Sequence, residues 1–395
     1  MIRRINRASL GAELKKIGIH PASYPIFMNK SEIIPFKLLG VRTPAANIIK
    51  QEILAAGGDC AVHAGCINCG LEYTDLLLLG TRKHYNILLA KLKIMNYFGL
   101  AKIYKELQEF LTGQEVQTVL ADGRCLKYEQ LAIMGILNIT PDSFYAQSRI
   151  ENVKDAVRNV SKMLEDGASI IDIGGESTRP GSNQVTTDEE ISRVVPIIQA
   201  IKKEWPKSII SIDTYHARTA EQAIKAGADI INDVTGMTYD DDMAKIAIHY
   251  DVPVVLMHMR GTPQNMQQLT TYNNVIEDVC SYLSKQVELL AAKGLEKNKI
   301  ILDPGIGFAK NAKQNLALMG RLEELVSLGY PVLLAASRKS TIGSVLGDIP
   351  AEERLYGTLA TSCQAVYAGA HLIRVHDVKA NADAVRMLEA ILKCQ

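Results

Sequence analysis

The chain has 395 residues, with 44 Lys and Arg set against 43 Asp and Glu for a net charge of +1. That length exceeds the ~250–300 residues at which a single core stops growing, so a large domain accompanied by a smaller one is expected. Balanced charge without a long run of one sign excludes an electrostatic footprint for nucleic acid or an anionic membrane, and any bound anion must be held by a local site.

In chain order, the amino terminus MIRRINRASLGAELKK carries arginines with no apolar segment behind them. The longest apolar runs elsewhere, such as Leu76–Leu79, fall far short of a membrane span, so a soluble, cytoplasmic protein is expected. Seven cysteines, at 60, 66, 69, 125, 280, 363 and 394, are odd in number and scattered, which suits a reducing compartment better than a disulfide framework. Pro35–Val41, an amphipathic Ala45–Ala56, Cys60–His63, the run TDLLLLG and a helical His84–Met95 read as a small α/β domain. Residues 113–128 read as a connecting or edge hairpin around Asp122-Gly123, which places the domain boundary at 128/129. Within CAVHAGCINCG, the set Cys60, His63, Cys66 and Cys69 could bind zinc, but it lacks the second paired half of a zinc signature. Buried small residues are the plainer reading.

From residue 131 onward, short β-branched runs alternate with amphipathic segments of helical length. The strands are Leu131–Thr140, Ser169–Glu176, Ile209–Thr214, Asp229–Thr235, Val252–Met259, Lys299–Gly305, Pro331–Ser337 and His371–His376. Between the first two lies Val153–Glu165, with apolar residues at 153, 156, 157, 160, 163 and 164, a helical spacing. The phrases LEDGASIID, IKAGADIIND and VYAGAHLIRVHD each place a glycine at a helix end directly before a buried strand. Eight βα units in about 260 residues are the arithmetic of a (β/α)8 TIM barrel, spanning 129–395. A doubly wound open sheet is the competing architecture.

Polar clusters stand at the carboxyl ends of these strands: Asn138-Ile-Thr-Pro-Asp-Ser, Gly174-Gly-Glu-Ser-Thr-Arg, Asp213-Thr, Asn232-Asp, His258, Asp303-Pro-Gly, Ser337-Arg-Lys-Ser and Arg374-Val-His-Asp. In a parallel barrel all eight converge on one mouth, where a ligand site is expected. Each member has a bland reading. Asp213 or Asp233 could cap the following helix, Asn138 could hold a turn, His258 between two methionines reads as packed core, and Lys339 could snorkel. Eight coincidences at one end of eight strands favour a site. Arg179, Arg338, Lys339, Arg374 and His376 point to a phosphate or diphosphate ligand. Asp213, Asn232 and Asp303 suit a flat, nitrogen-rich ring presenting amidine-like donors. No Cys/His cage and no nucleophile elbow is present, and a hard cation such as Mg²⁺ bridging diphosphate oxygens, with an amide oxygen as one ligand, fits better.

The motifs MGILNITPDSF, DIGGESTRPGS, SIDT, INDVTG, LMHMRGTPQNMQ, DPGIGFAK, SRKSTIG and RVHDV, in that order over 131–392, resemble those of dihydropteroate synthases, the sulfonamide-targeted enzymes of folate biosynthesis. That resemblance implies a transferase joining 6-hydroxymethyl-7,8-dihydropterin diphosphate to p-aminobenzoate with release of diphosphate, and a homodimer. It implies Asn138 as the amide helping to hold Mg²⁺, with Arg374 and His376 on the diphosphate. Asp213, Asn232 and Asp303 become pterin-recognising groups, with Met257 on the ring and Lys339 on the pterin carbonyl. Thr178, Arg179, Pro180, Phe308 and Ser340 become the p-aminobenzoate pocket. Lys339, Arg374, His376 and Asp213 are then the residues expected to carry catalysis. Two departures from the family stand out: Tyr145-Ala-Gln-Ser replaces Ser-Asp-Gly-Gly after TPDSF, and Ala335 stands where glycine is common. A corrinoid-dependent pterin-binding methyltransferase and a non-catalytic homologue are the alternatives. The motifs ESTRPG, SRKS and RVHDV argue against the methyltransferase.

Overall fold

The computed structural model describes residues 2–3, 5–113, 115–139, 149–176, 185–262 and 265–394. It divides into two compact units, the first running to Glu115 and the second from Val116 to Cys394.

The first unit is built on an antiparallel sheet in the order β1-β3-β2, with β1 Ile34–Arg42, β2 Asp59–Val62 and β3 Tyr73–Gly80. In β3, Thr74, Leu76, Leu78 and Gly80 face inward while the residues between them face outward, the period-two pattern of a sheet covered on one side. The covering helices are Thr43–Ala55, Arg82–Leu92 and Leu100–Thr112, which bury Ile49, Ile53, Tyr85, Leu88, Leu100 and Leu107. The sequence reading had not named the last of these helices. Among the described residues no group of His, Cys, Asp and Glu is arranged to hold a metal. Cys66 Sγ instead donates to Asn47 Oδ1 at 3.3 Å, and burial pushes the Cys60 thiol up to about 11. Cys60 and Cys66 are buried, and Cys69 is exposed with a left-handed backbone at φ 54°.

The second unit opens with the expected hairpin, β4 Gln117–Val119 and β5 Cys125–Lys127. Leu120, Leu126 and Tyr128 pack on Met134, Ile170, Ile230, Val255, Ile301, Leu333 and Leu372, residues near the amino ends of the strands that follow. Arg124 adds bonds to Asp229 Oδ1 at 2.8 Å and the Lys207 carbonyl at 2.7 Å. The hairpin therefore seals the bottom of the barrel, and the division between units falls at 115/116 where 128/129 had been expected.

Eight parallel strands follow: β6 Ala132–Asn138, β7 Ile170–Gly174, β8 Ile209–Asp213, β9 Ile230–Asp233, β10 Val254–Met257, β11 Ile300–Asp303, β12 Leu333–Leu334 and β13 Leu372–Val375. They pair in the order β11-β10-β9-β8-β7-β6-β13-β12, and a parallel bridge between Leu302 and Val332 closes the ring. An open doubly wound sheet is excluded. Each strand is shorter than its sequence reading or equal to it at one end, because the polar residues at its carboxyl end leave the ladder. The three glycine phrases are helix terminators: Gly167, Gly227 and Gly369 have φ of 103°, 116° and 74°, where a side chain is strained. The following alanines return their N–H groups to Met163, Ala223 and Ala365, which completes the cap. No helix among the described residues is long and apolar enough to cross a membrane.

Candidate active site

Strand periodicity decides which side chains enter the barrel. Residues Ile170, Ile230, Val255, Ile301, Leu333 and Leu372 form an apolar interior layer at the bottom. Two residues further along each strand, on the same side, come Asp172, Asn232, Met257, Asp303, Ala335 and Arg374. An all-apolar plug thus gives way to a polar floor one layer higher, and all six of these side chains but Arg374 are buried.

The floor is held by one cation. Arg374 Nε donates to Asp172 Oδ2 at 2.6 Å and Nη2 to Asp213 Oδ2 at 2.5 Å. Asn232 Nδ2 also donates to Asp172, at 3.2 Å to Oδ2. Burial pushes Asp213 up to about 7, with Asp172, Glu190 and Asp233 adding to the rise and Arg374 opposing it. Its Oδ1 is buried with no hydrogen-bond partner, an acceptor left unused by the protein. Asp303 Oδ1 accepts from the Gly305 N–H at 2.7 Å, and burial raises this carboxyl while Lys339 lowers it. Lys339 Nζ bonds the Ile306 carbonyl and lies 4.8 Å from the centroid of the Phe308 ring. Burial lowers it to about 8, opposed by Asp303.

Around this floor stands an apolar wall of Tyr215, Val234, Met257, Met259, Met266 and Ala309, with Phe308 packed against it. His376 lies on the next turn of chain after Arg374, and its Nδ1 is 3.0 Å from Ser337 Oγ. Ser337 Oγ also accepts from the His376 N–H at 3.2 Å, so the imidazole is fixed from beneath. Asn138 ends β6 as an exposed amide. A methyl group placed on Gly174 would lie 3.5 Å from both Asn138 Oδ1 and Asp213 Cβ, so these side chains flank one point at the mouth. Ser340 is exposed at the start of the helix Ser340–Val345.

The structure thus brings together Asn138, Asp213, Asn232, Met257, Asp303, Phe308, Lys339, Ser340, Arg374 and His376 at the carboxyl ends of the strands. Thr178, Arg179 and Pro180 lie outside the described residues, as does Tyr145–Ser148. The capping alternative holds for Asp233, and one expectation changes, for Arg338. Asp233 accepts from Thr235 N and Oγ1, both at 2.7 Å, and from Met237 N at 3.1 Å, so it caps a turn outside the barrel. Arg338 pairs bidentately with Asp377, at 2.8 and 2.6 Å, so its charge is spent there. His258 is buried and neutral, pushed down to about 2 by burial and by Lys310 and Arg260.

Two residues were missed. Asp172 is a fully buried carboxylate inside IIDIGG, and its parity with Ile170 was the available signal. Lys310, the last residue of DPGIGFAK, is 2% exposed and bonds His258 Nδ1 at 2.9 Å. Nothing in its neighbourhood in sequence separates it from a surface lysine.

Among the described residues no set of His, Cys, Asp and Glu forms a metal cage. The exposed Asn138 amide at the mouth is a ligand type that suits a cation such as Mg²⁺, which keeps several waters and draws further ligands from phosphate oxygens.

A family model described as pterin binding enzyme matches residues 134–376. A dihydropteroate synthase of Bacillus subtilis (strain 168) is 47% identical over 282 residues, covering 71% of this chain and 96% of the relative. That of Clostridium beijerinckii is 48% identical over 266 residues, covering 67% and 96%. Among solved structures, the Yersinia pestis dihydropteroate synthase with a sulfonamide drug complex superposes with a TM-score of 0.66 at 38% identity, covering 71% of this chain and 100% of that one. The Xanthomonas albilineans enzyme with 4-aminobenzoic acid gives 0.65 at 36% identity, covering 70% and 98%.

Proposed function

The chain belongs to the pterin-binding enzymes and within them to the dihydropteroate synthases, and on that premise we propose how its residues divide the work of the reaction. The protein is a transferase that condenses 6-hydroxymethyl-7,8-dihydropterin diphosphate with p-aminobenzoate, giving 7,8-dihydropteroate and diphosphate for folate biosynthesis. The observation that carries the division is the polar layer inside the barrel. Asp213, Asn232 and Asp303 face the cavity as acceptors and an amide, matching the donors along one edge of a pterin, and Met257 supplies an apolar face beside them. A pterin so held directs its methylene outward to the mouth.

There the C–O bond to the diphosphate breaks and its electron pair leaves with the diphosphate. The guanidinium of Arg374 and the imidazole of His376 bind the departing charge where water is largely displaced, which makes each contact worth more than in solution. A Mg²⁺ ion with Asn138 as one ligand would supply further charge neutralisation to the diphosphate oxygens. The arylamine nitrogen then forms the C–N bond and gives up a proton. Phe308 and Ser340 line the approach of the arylamine, and Lys339 reaches the pterin carbonyl. No protein nucleophile is needed, because the pterin ring stabilises the cation left behind.

The decisive experiment measures diphosphate release with and without p-aminobenzoate. Release that requires both substrates supports the reaction. Release without the arylamine, or none at all, would favour the non-catalytic or methyl-transferring alternatives. Cytoplasmic residence is part of the proposal, supported by seven cysteines that are all free. So is a homodimer, supported by large apolar side chains exposed on the two last helices: Tyr356, Tyr367, Met387 and Ile391. Light scattering reads that state directly.

Two substitutions separate the halves of the site. His376→Ala is expected to raise the Kd for the pterin diphosphate by about tenfold to a hundredfold, the worth of a charge-assisted bond, and to leave the bare pterin alcohol nearly unaffected. Equal losses for the two ligands in calorimetry would remove His376 from the diphosphate. Asp303→Asn replaces an acceptor with a donor opposite the ring, and should cost about 1–3 kcal/mol for alcohol and diphosphate alike.

A further inference from the structure

The loop that follows β11 has its backbone almost entirely committed to side chains. Every carbonyl from Gly305 to Lys310 accepts a hydrogen bond from one. Lys310 Nζ takes those of Gly305 and Phe308, both at 2.9 Å, and Lys339 Nζ takes Ile306. Gln267 Nε2 takes Gly307 at 3.1 Å, Tyr272 Oη takes Ala309 at 3.0 Å and Asn315 Nδ2 takes Lys310 at 3.3 Å. Three of the N–H groups are occupied as well: Gly305 donates to Asp303 Oδ1 at 2.7 Å, Gly307 to Asn315 Oδ1 at 2.9 Å and Phe308 to the Gly305 carbonyl at 3.1 Å.

The loop's shape explains why so many partners are required. Gly305, Gly307 and Ala309 alternate in the left-handed region, at φ of 70°, 85° and 50°. An alanine reaches that region only when its surroundings dictate it. A Cβ on Gly305 would stand 2.1 Å from the His258 carbonyl oxygen, so the close approach itself requires glycine. Lys310 is the hub. Its Nζ lies 2.9 Å from the Gly305 and Phe308 carbonyl oxygens and from His258 Nδ1, and 3.3 Å from the His258 carbonyl oxygen.

We propose that Lys310 is a positioning residue for the arylamine side of the site, with Tyr272 and Asn315 as its supports. It fixes the loop so that the Phe308 ring stands beside Lys339 Nζ. Asn315 extends the same hold to the helix that begins at Ser340, through a 2.9 Å bond to Thr341 Oγ1. A rigid wall of this kind lowers the ordering cost of binding a small, flat arylamine. The inference rests on the assignment of Phe308 and Ser340 to the p-aminobenzoate pocket.

The test is steady-state kinetics of the full chain with two variants. Lys310→Met keeps length and bulk while removing its donors. Tyr272→Phe removes one hydroxyl and keeps the ring, which stacks under the Arg260 guanidinium 3.8 Å from its centroid. The KM for p-aminobenzoate should rise about tenfold or more in Lys310→Met and about threefold in Tyr272→Phe. The KM for the pterin diphosphate should stay within about twofold, since the floor residues on β7, β8 and β9 keep their partners. Parallel rises in both constants, or an unchanged p-aminobenzoate KM, would overturn the proposal. Should Lys310→Met not fold, Tyr272→Phe decides by the same criterion. A wild-type protein that makes no dihydropteroate refutes the reaction itself, and an active wild type with parallel losses refutes only the role of Lys310.

Discussion

Arg374→Met is expected to lose about 3–5 kcal/mol of unfolding free energy, the cost of removing one partner from a buried ion pair and leaving the other uncompensated. Here two carboxylates lose their counter-ion at once. Asp172 is fully buried and holds Arg374 Nε at 2.6 Å, and Asp213 holds Nη2 from the neighbouring strand. Without the guanidinium, Asp213 should rise further and take a proton, because a buried carboxyl relieves the penalty by neutralising itself. The loss in urea unfolding should therefore be smaller near pH 5 than near pH 8. Adding Asp172→Asn to Arg374→Met should recover part of the deficit, since an amide tolerates the same position without a counter-ion and keeps a hydrogen-bonding atom toward Asn232. A loss below about 1 kcal/mol, the scale of an exposed pair, would show that Arg374 is not what holds the floor together. The same geometry complicates any reading of Arg374 as a diphosphate contact alone. Its removal takes away a ligand contact and the scaffold of the pterin floor together, and His376 is the cleaner probe of the leaving group.

The parity of the strands explains what the sequence made legible and what it hid. Apolar runs with glycine-terminated helices between them give the eight βα units directly, and the polar carboxyl ends give the mouth. Taken alone, Asp213 and Asp233 carry the same capping alternative, although only Asp213 is expected on the ring. In the structure Asp213 shares the inward parity of Ile209, and Asp233 is one residue out of step with Ile230 and Asn232, so it turns away to cap its own loop. Parity was readable once the apolar bottom layer was known, but that layer is defined by closure of the barrel and by the hairpin packed beneath it. Arg338 shows a different limit. Its backbone is left-handed at φ 56°, which turns the side chain toward Asp377, and the string SRKS carries no sign of that turn. Lys310 was hidden for a third reason. Its acceptors are backbone carbonyls and a histidine from distant strands, and carbonyls are invisible to any inspection of side-chain types.

Asp213 itself yields the second large effect, a pH-dependent affinity for the pterin. Its carboxyl is pushed up to about 7 by burial, against the pull of Arg374, so near neutrality it is divided between acid and carboxylate. The unpartnered Oδ1 can accept from a ring N–H only when that oxygen does not carry the proton. Binding of 6-hydroxymethyl-7,8-dihydropterin should therefore strengthen as pH rises toward 8 and weaken by about tenfold per unit well below the midpoint, as linkage requires when a ligand selects one protonation state. The folding linkage has the opposite sense. A carboxyl whose folded value lies above its unfolded one favours the folded state most at low pH, and that contribution is lost as pH rises from 3.8 through about 7. Wild type should thus lose stability relative to Asp213→Asn across this window while gaining affinity for the pterin over its upper end. In Asp213→Asn both slopes should vanish, and the affinity should settle about 1–3 kcal/mol weaker than wild type at pH 8, where the amide offers a donor to a donor. Calorimetric titration of both proteins from pH 5.5 to 8.5 reads the effect against the pterin's own ionisation, which the variant shares. A wild-type affinity that tracks the variant's across that range would show that the proton sits elsewhere on the floor and that Asp213 serves Arg374 alone.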